Sequence, residues 1–497
     1  MSIKIAFIGA GSLGFCRQLL TDILSVPELR DAKISFTDVN NKNLAMVSEL
    51  CQRDMEANGL PTRIQSTVDR REAFRGAKYI INCIRQGVLE AFETDVEIPL
   101  KYGVDQCVGD TLCTGGIMYG QRTIIEMLDI CRDIREYALP GALLLNYTNP
   151  NAMVTWACNQ YGGVPTIGLC HGVMHGEMQI ADALGISRKE LDFTCAGLNH
   201  QTWYISVKHK GRELTGELYE AFLKQPEMVQ KEKVRLDVMK RFGYYSTESN
   251  GHLSEYLAWY RKDPEKLKDW IDISSWIGGE TAGYLRVCRE GRNWFEADYP
   301  QLLKEPPKSY DGSMRGQEHG SYIIESLETG RGYRGHFNVM NGHCITNLPE
   351  ECVVEVPCYV DGNGISVPPV GDLPLGCAAI CSQSAWVQKL AVEAAVHGDV
   401  QLLKQAAMLD PLTGAVCYPE EISQMIDEML IAQERWLPQY GQAIRDARER
   451  IAKGDLLPVR EGYRGAVRIK EQTVEEMSLN KEKNRALANA AAKELVK

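Results

Sequence analysis

The sequence predicts an α/β fold made of an N-terminal doubly wound sheet and a C-terminal α+β lobe. Short β-branched runs alternate with amphipathic stretches over the first 195 residues, the pattern of a parallel sheet covered by helices. The first run leads into Gly9-Ala10-Gly11-Ser12-Leu13-Gly14, a glycine turn between a strand and a helix. Past residue 195 the alternation stops, and longer helices mix with isolated strand runs. The first lobe therefore reads as Rossmann-like.

Strands are expected at residues 4–9, 33–38, 79–84, 142–146 and 166–170, with helices at 14–25, 41–57 and 115–137. The last of these helices carries Ile124, Met127, Leu128 and Cys131 at helical spacing. In the second lobe a short strand is expected at 202–208, and a hairpin across 352–367 turning at Gly362-Asn363-Gly364. Helical periodicity covers 378–405, 419–434 and 473–496. The chain divides accordingly into a nucleotide-binding domain over 1–195, a catalytic and oligomerisation domain over 196–450, and a helical extension over 451–497.

Composition narrows the functional classes. At 497 residues the chain is long enough for two packed lobes. Its 55 basic against 66 acidic residues, a net charge of -11, argue against a nucleic-acid partner, which needs a basic face. No apolar stretch approaches the ~20 residues that cross a bilayer, and the first residues already read as a buried strand rather than a secretory leader. A cytoplasmic protein with no membrane partner is expected. The sixteen cysteines are scattered through element-like segments, so free thiols are the default.

The glycine turn is placed to seat a pyrophosphate on backbone amides at a helix N-terminus, with Gly9, Gly11, Ser12 and Gly14 as the contacts. Asp38 ends the second strand and is positioned for ribose hydroxyls, which favours NAD over NADP. Asn82 to Gly87 and Asn146 to Asn149 end later strands, where such a sheet presents its binding loops. Asn82 is a cofactor-side candidate, and Asn149 can hold substrate hydroxyls.

Cys170 closes the fifth strand run and His200 follows in Gly197-Leu198-Asn199-His200. Thiolate plus imidazole suits a first-row divalent metal and leaves positions open for substrate oxygens. A buried thiol and a satisfied core histidine would show the same spacing. Asp110, before Thr114-Gly115-Gly116, suits a general acid, although an N-terminal helix cap would read alike. The segment 244–256 is dense in titratable groups, and a base can come from it.

These motifs together resemble glycoside hydrolase family 4, the NAD- and metal-dependent glycosidases, and within it the α-galactosidase (melibiase) branch. The resemblance runs from residue 3 to about 445 and rests on Phe7-Ile8-Gly9-Ala10-Gly11-Ser12, Asp110-Thr111 with Gly115-Gly116-Ile117, Asn146-Tyr147-Thr148-Asn149-Pro150, Gly168-Leu169-Cys170-His171, Ala196-Gly197-Leu198-Asn199-His200, Thr247-Glu248-Ser249 with His252 and Glu255-Tyr256, and Asn347-Leu348-Pro349. It implies Cys170 and His200 as ligands of Mn2+ or another divalent ion, and NAD as cofactor. It also implies Asp110 as general acid, Asn149 and His171 as substrate contacts, and a homodimer or homotetramer. The base is left open among Glu248, His252 and Tyr256. The implied reaction oxidises sugar carbon 3, removes the carbon 2 proton, expels the aglycone, adds water and returns the hydride, with hydrolysis as the net result.

Two positions bear on the substrate. Melibiase-like sequences commonly carry Ser where this chain has Gly172, which looks more like the α-glucosidase and α-glucuronidase branches. Branches acting on 6-phosphoglycosides typically replace His171, so its presence implies a non-phosphorylated sugar. An α-galactoside is favoured, with an α-glucosidase or an α-glucuronidase/α-galacturonidase as alternatives within the family. A 2-hydroxyacid dehydrogenase of the lactate/malate type is the alternative outside it, and a non-catalytic NAD-binding protein is a further one.

Overall fold

The computed structural model describes residues 2–495 apart from 61, 275, 276 and 455. The chain opens with β1 (Lys4–Ile8), α1 (Leu13–Leu24), β2 (Lys33–Thr37), α2 (Asn41–Ala57), β3 (Gln65–Thr67), α3 (Arg70–Phe74) and β4 (Tyr79–Asn82). It continues through α4 (Val88–Lys101), α5 (Cys113–Tyr137), β5 (Leu143–Asn146), α6 (Asn151–Ala157) and β6 (Thr166–Gly168). These six strands run parallel in the order β3-β2-β1-β4-β5-β6, the doubly wound arrangement expected from the sequence. Alternation along β1 feeds two cores. Ile5 and Phe7 pack with Leu19, Leu20 and Ile23 of α1, while Ala6 and Ile8 pack with Met127, Ile130 and Ile134 of α5.

The register aligns the carboxyl ends of the strands. Ile8 pairs with Asn82, Asn82 with Asn146, and Asn146 with Gly168. The loops after these strands therefore leave the sheet along one edge, carrying the glycine turn, Asn149 and Cys170. Most strands end one or two residues before the expected boundary, because Gly9, Asp38 and Cys170 already belong to those loops. Polar, mostly exposed β3 was not expected, nor was α4, which contains Pro99 although Leu89, Phe92, Val96 and Leu100 fall at helical spacing.

The second lobe extends the same sheet. It contains α7 (Gly172–Leu184), β7 (Leu191–Leu198), β8 (Gln201–His209) and β9 (Arg212–Glu213), then α8 (Leu218–Leu223), α9 (Pro226–Lys231), α10 (Lys233–Phe242), β10 (Tyr245–Ser246), α11 (Asn250–Glu255), α12 (Pro264–Trp270), α13 (Gly283–Leu302) and α14 (His319–Thr329). Then come β11 (Tyr333–Met340), β12 (Val353–Asp361), β13 (Gly364–Ser366), α15 (Leu375–His397), α16 (Val400–Leu409), α17 (Pro411–Val416), α18 (Pro419–Ala432), α19 (Gly441–Ala452) and α20 (Val474–Leu495). Antiparallel strands join β6 in the order β11-β12-β7-β8-β10.

The expected hairpin is present, with Asp361 opposite Gly364. The long helix expected over 378–405 is two helices. Gly398 turns the chain at φ +66°, where a Cβ would come within 2.5 Å of the Gln439 carbonyl, and Asp399 caps α16 through the amides of Gln401 and Leu402. The segment after residue 453 is helical only from Val474. Before that it is held along the first lobe, with the Arg460 amide on the Lys101 carbonyl (2.8 Å), the Ala466 amide on Asp105 (2.9 Å) and Arg468 against Glu97 (2.5 Å). Among the described residues no helix is long and apolar enough to cross a membrane.

Candidate active site

The glycine turn packs tightly against its own sheet. Gly9 sits at φ +83°, where a Cβ would lie 2.8 Å from the Cys83 backbone. A Cβ on Gly11 would lie 2.9 Å from Asp38 Oδ2, and that oxygen accepts the Gly11 amide at 2.8 Å. The other Asp38 oxygen accepts the Asn40 amide at 2.7 Å. Asp38 thus clasps the turn as well as facing the expected ribose position. Ser12 occupies the N-cap of α1 without a side-chain cap bond, and Gly14 faces open space, so the first-turn amides remain free for an anion. These features fit a dinucleotide. Asn82 has a different place from the one expected. It is fully buried, and its amide donates to Asn146 (2.8 Å) and Thr148 (3.0 Å), bracing the ends of β4 and β5 rather than facing the crevice.

Asp110 lies on the loop before α5 and is buried. Asn149 donates to its Oδ2 at 2.7 Å, and the Thr111 hydroxyl bonds its Oδ1 at 2.8 Å. The same hydroxyl meets His200 Nδ1 at 2.8 Å, so Nε2 is the His200 nitrogen left for a metal. Asp110 is therefore no helix cap. The loop is held from behind by Glu255, which accepts the amides of Cys107, Val108 and Gly109 at 2.7 to 3.0 Å. Burial pushes the Glu255 carboxyl up to about 7, against the pull of Arg261 and those amides.

Cys170 and His200, thirty residues apart, come together with Glu248. One ligand atom from each lies within 4.8 Å of the others, and Cys170 Sγ is 3.6 Å from Glu248 Oε1. A second set, Asp110, His200 and His252, meets the same spacing. His200 occupies the two-residue turn between β7 and β8 at φ +62°, a position where glycine or asparagine is the ordinary choice. Beneath the site Gly168, Asn338, Glu355 and Gly197 form one row across β6, β11, β12 and β7.

The charges in the crevice are strongly coupled. Burial disfavours a charged Glu248, but His200, His252 and His171 outweigh it and hold the carboxyl down to about 2. Burial, and then the Glu248 charge, push the Cys170 thiol well up, so a bound cation would have to displace its proton. His252 is kept down chiefly by burial, and its Nδ1 meets the Ser249 hydroxyl at 2.8 Å. The Tyr256 phenol is held well above its ordinary value by burial and then Asp110. The His171 side chain is half-exposed, its Nδ1 3.7 Å from Glu318 and its ring against that of His175.

Glu355 was missed from the sequence. It is buried, its Oε2 accepts from Asn199 at 3.3 Å, and burial with the nearby Glu248 charge raises it to about 8. The signal was a lone glutamate inside the apolar run Cys352-Val353-Val354-Glu355-Val356.

A dinucleotide turn and a cluster of metal-type donors at one sheet edge mark a class of enzyme that brings a redox cofactor and a divalent ion to a single substrate. Known proteins narrow that class. Residues 4–186 match the family 4 glycosyl hydrolase model and residues 195–413 match the family 4 glycosyl hydrolase C-terminal domain. The chain belongs to this family and is a glycoside hydrolase. It is 55% identical over 482 residues, 97% of this chain and 98% of the relative, to an alpha-galactosidase of Rhizobium meliloti (strain 1021). It is 34% identical over 439 residues, 88% of this chain and 99% of the relative, to an alpha-galactosidase of Bacillus subtilis (strain 168). The crystal structure of lplD from Bacillus subtilis superposes with a TM-score of 0.76 at 25% identity, covering 86% of this chain and 100% of that one. Likeness over 97% of the chain carries the resemblance past about residue 445, where the sequence motifs had ended it.

Proposed function

We propose that the protein hydrolyses α-linked, non-phosphorylated galactosides by oxidation and elimination, with NAD and a divalent ion, Mn2+ foremost, as cofactors. The observation that carries this reading is the convergence of Asp110, clamped by Asn149 and Thr111, with Cys170, His200 and Glu248 at the edge where the glycine turn also opens. The two α-galactosidase relatives support the choice of sugar.

When bound, NAD supplies a reversible hydride acceptor for sugar carbon 3, and the metal supplies a Lewis acid for the oxygen there. Gly9, Gly11, Ser12 and the free first-turn amides of α1 hold the pyrophosphate, and Asp38 the ribose hydroxyls. Val39, 94% exposed beside Asp38, offers an apolar surface to the adenine. Cys170 and His200 hold the metal. Asn149 contacts a sugar hydroxyl while fixing the Asp110 carboxyl, and His171 lines the wall beside it. Asp110 gives its proton to the glycosidic oxygen as the carbon 1 bond breaks. His252, neutral and oriented through Nδ1 by Ser249, takes the carbon 2 proton on its other nitrogen. Tyr256 keeps its proton and serves as a hydrogen-bond donor.

The enzyme acts as a cytoplasmic homo-oligomer on a small glycoside. Exposed Leu375, Trp386 and Leu409 on the C-terminal helices, with Tyr418 at the N-cap of α18, supply apolar surface for self-association.

Turnover in deuterium oxide tests the elimination. Galactose released from an α-galactoside should carry deuterium at carbon 2, read by mass spectrometry and NMR. Product labelled nowhere on carbon would mean direct displacement at carbon 1.

A further inference from the structure

We infer that Glu248 is a third protein ligand of the divalent ion, and that Gly172 is the residue that makes room for it. The inference rests on the reading that Cys170 and His200 hold the metal, and assigns the remaining protein donor. A Cβ on Gly172 would overlap Oε1 of Glu248 and crowd its carboxyl carbon at 2.7 Å. Any side chain at 172, serine included, would push the carboxylate out of its present position. What glycine provides here is space for a neighbour's side chain and not backbone freedom, since φ at 172 is not positive.

The position it protects suits a ligand. Sulfur and oxygen 3.6 Å apart are spaced as two ligands of one first-row ion, whose bonds to thiolate and carboxylate run about 2.3 and 2.1 Å. The Glu248 carboxylate accepts no hydrogen bond other than that from the Cys170 thiol among the described residues. The competing set is already engaged. Its distinctive member, Asp110, is bonded through both oxygens to Asn149 and Thr111. Glu248 and His200 also both hold left-handed backbone, at φ +72° and +62°. Such backbone persists where the surroundings impose it, commonly at ligand sites. Three protein ligands with open positions left for substrate is the usual count in catalytic sites.

The test is metal affinity in the full-length protein without substrate. Free Mn2+ is followed by electron paramagnetic resonance, and coordination by the absorption spectrum of the Co2+ form. The variants are Glu248→Gln, Gly172→Ser and Cys170→Ser, with NAD binding measured in each as the control for folding. Both Glu248→Gln and Gly172→Ser should weaken Mn2+ binding at least tenfold and change the Co2+ spectrum, and the double variant should be no worse than Glu248→Gln alone. Mn2+ affinity within threefold of the parent and an unchanged Co2+ spectrum in Glu248→Gln, with Cys170→Ser impaired, would remove Glu248 as a ligand while leaving the Cys170–His200 pair. Unchanged binding in Cys170→Ser as well would overturn the metal reading itself.

Discussion

Asn149 Nδ2 donates to Asp110 Oδ2 at 2.7 Å, joining the loop after β5 to the loop before α5. The bond, with that of the Thr111 hydroxyl to Oδ1, fixes the orientation of a buried carboxyl. Asp110→Asn should lower kcat by about 10²–10⁴ on melibiose, whose leaving group needs protonation. The loss should be much smaller on p-nitrophenyl α-galactoside, whose phenolate leaves unaided. Equal losses on the two substrates would mean that Asp110 is not the acid.

Gly9→Ala should abolish NAD binding and lower stability. Its φ of +83° is unfavourable for alanine, and the added carbon would meet the Cys83 backbone at 2.8 Å, which cannot move without shifting β4. Calorimetric titration with NAD and a urea melt measure the two effects. Gly14→Ala is the contrast. That position faces open space, so stability should be retained.

His336 predicts an acid sensitivity. It lies buried on β11, stacked on Phe193 at 5.2 Å, and burial holds it well below 6.5. Below pH 6.5 the unfolded chain takes up a proton that the native protein refuses, so stability present above 6.5 is lost progressively as pH falls. His336→Phe should keep the stacking and flatten this decline. Urea unfolding at pH 7 and pH 5 checks it, and an unchanged slope would place the acid sensitivity elsewhere.

Much of the fold was legible because its signals are local. The strand–glycine–helix turn and the apolar runs of β1, β4, β5 and β6 each lie within one short segment, and Cys170 and Asp110 sit at the ends of such segments. What escaped was long-range or masked by apolar context. Nothing near Gly172 announces that Glu248, 76 positions on, fills the space beside it. Asn82 looked like a crevice residue because it ends a strand, yet the buried Asn146 and Thr148 take its amide. The periodicity across 378–405 continues through Gly398, and only the approach of Gln439 and the Asp399 cap reveal the break. The base could not be chosen from 244–256 by residue type. The surroundings of the three candidates differ: Glu248 lies beside a thiol, burial and then Asp110 raise the Tyr256 phenol, and burial lowers His252.

The most direct measurement is release of p-nitrophenol from the α-galactoside, α-glucoside and α-glucuronide under reducing conditions, with NAD and Mn2+ each supplied or withheld. The account predicts fastest release from the α-galactoside, dependent on both cofactors, with no net NADH formed. Release independent of NAD, or NADH formed stoichiometrically without cleavage of any glycoside, would contradict it.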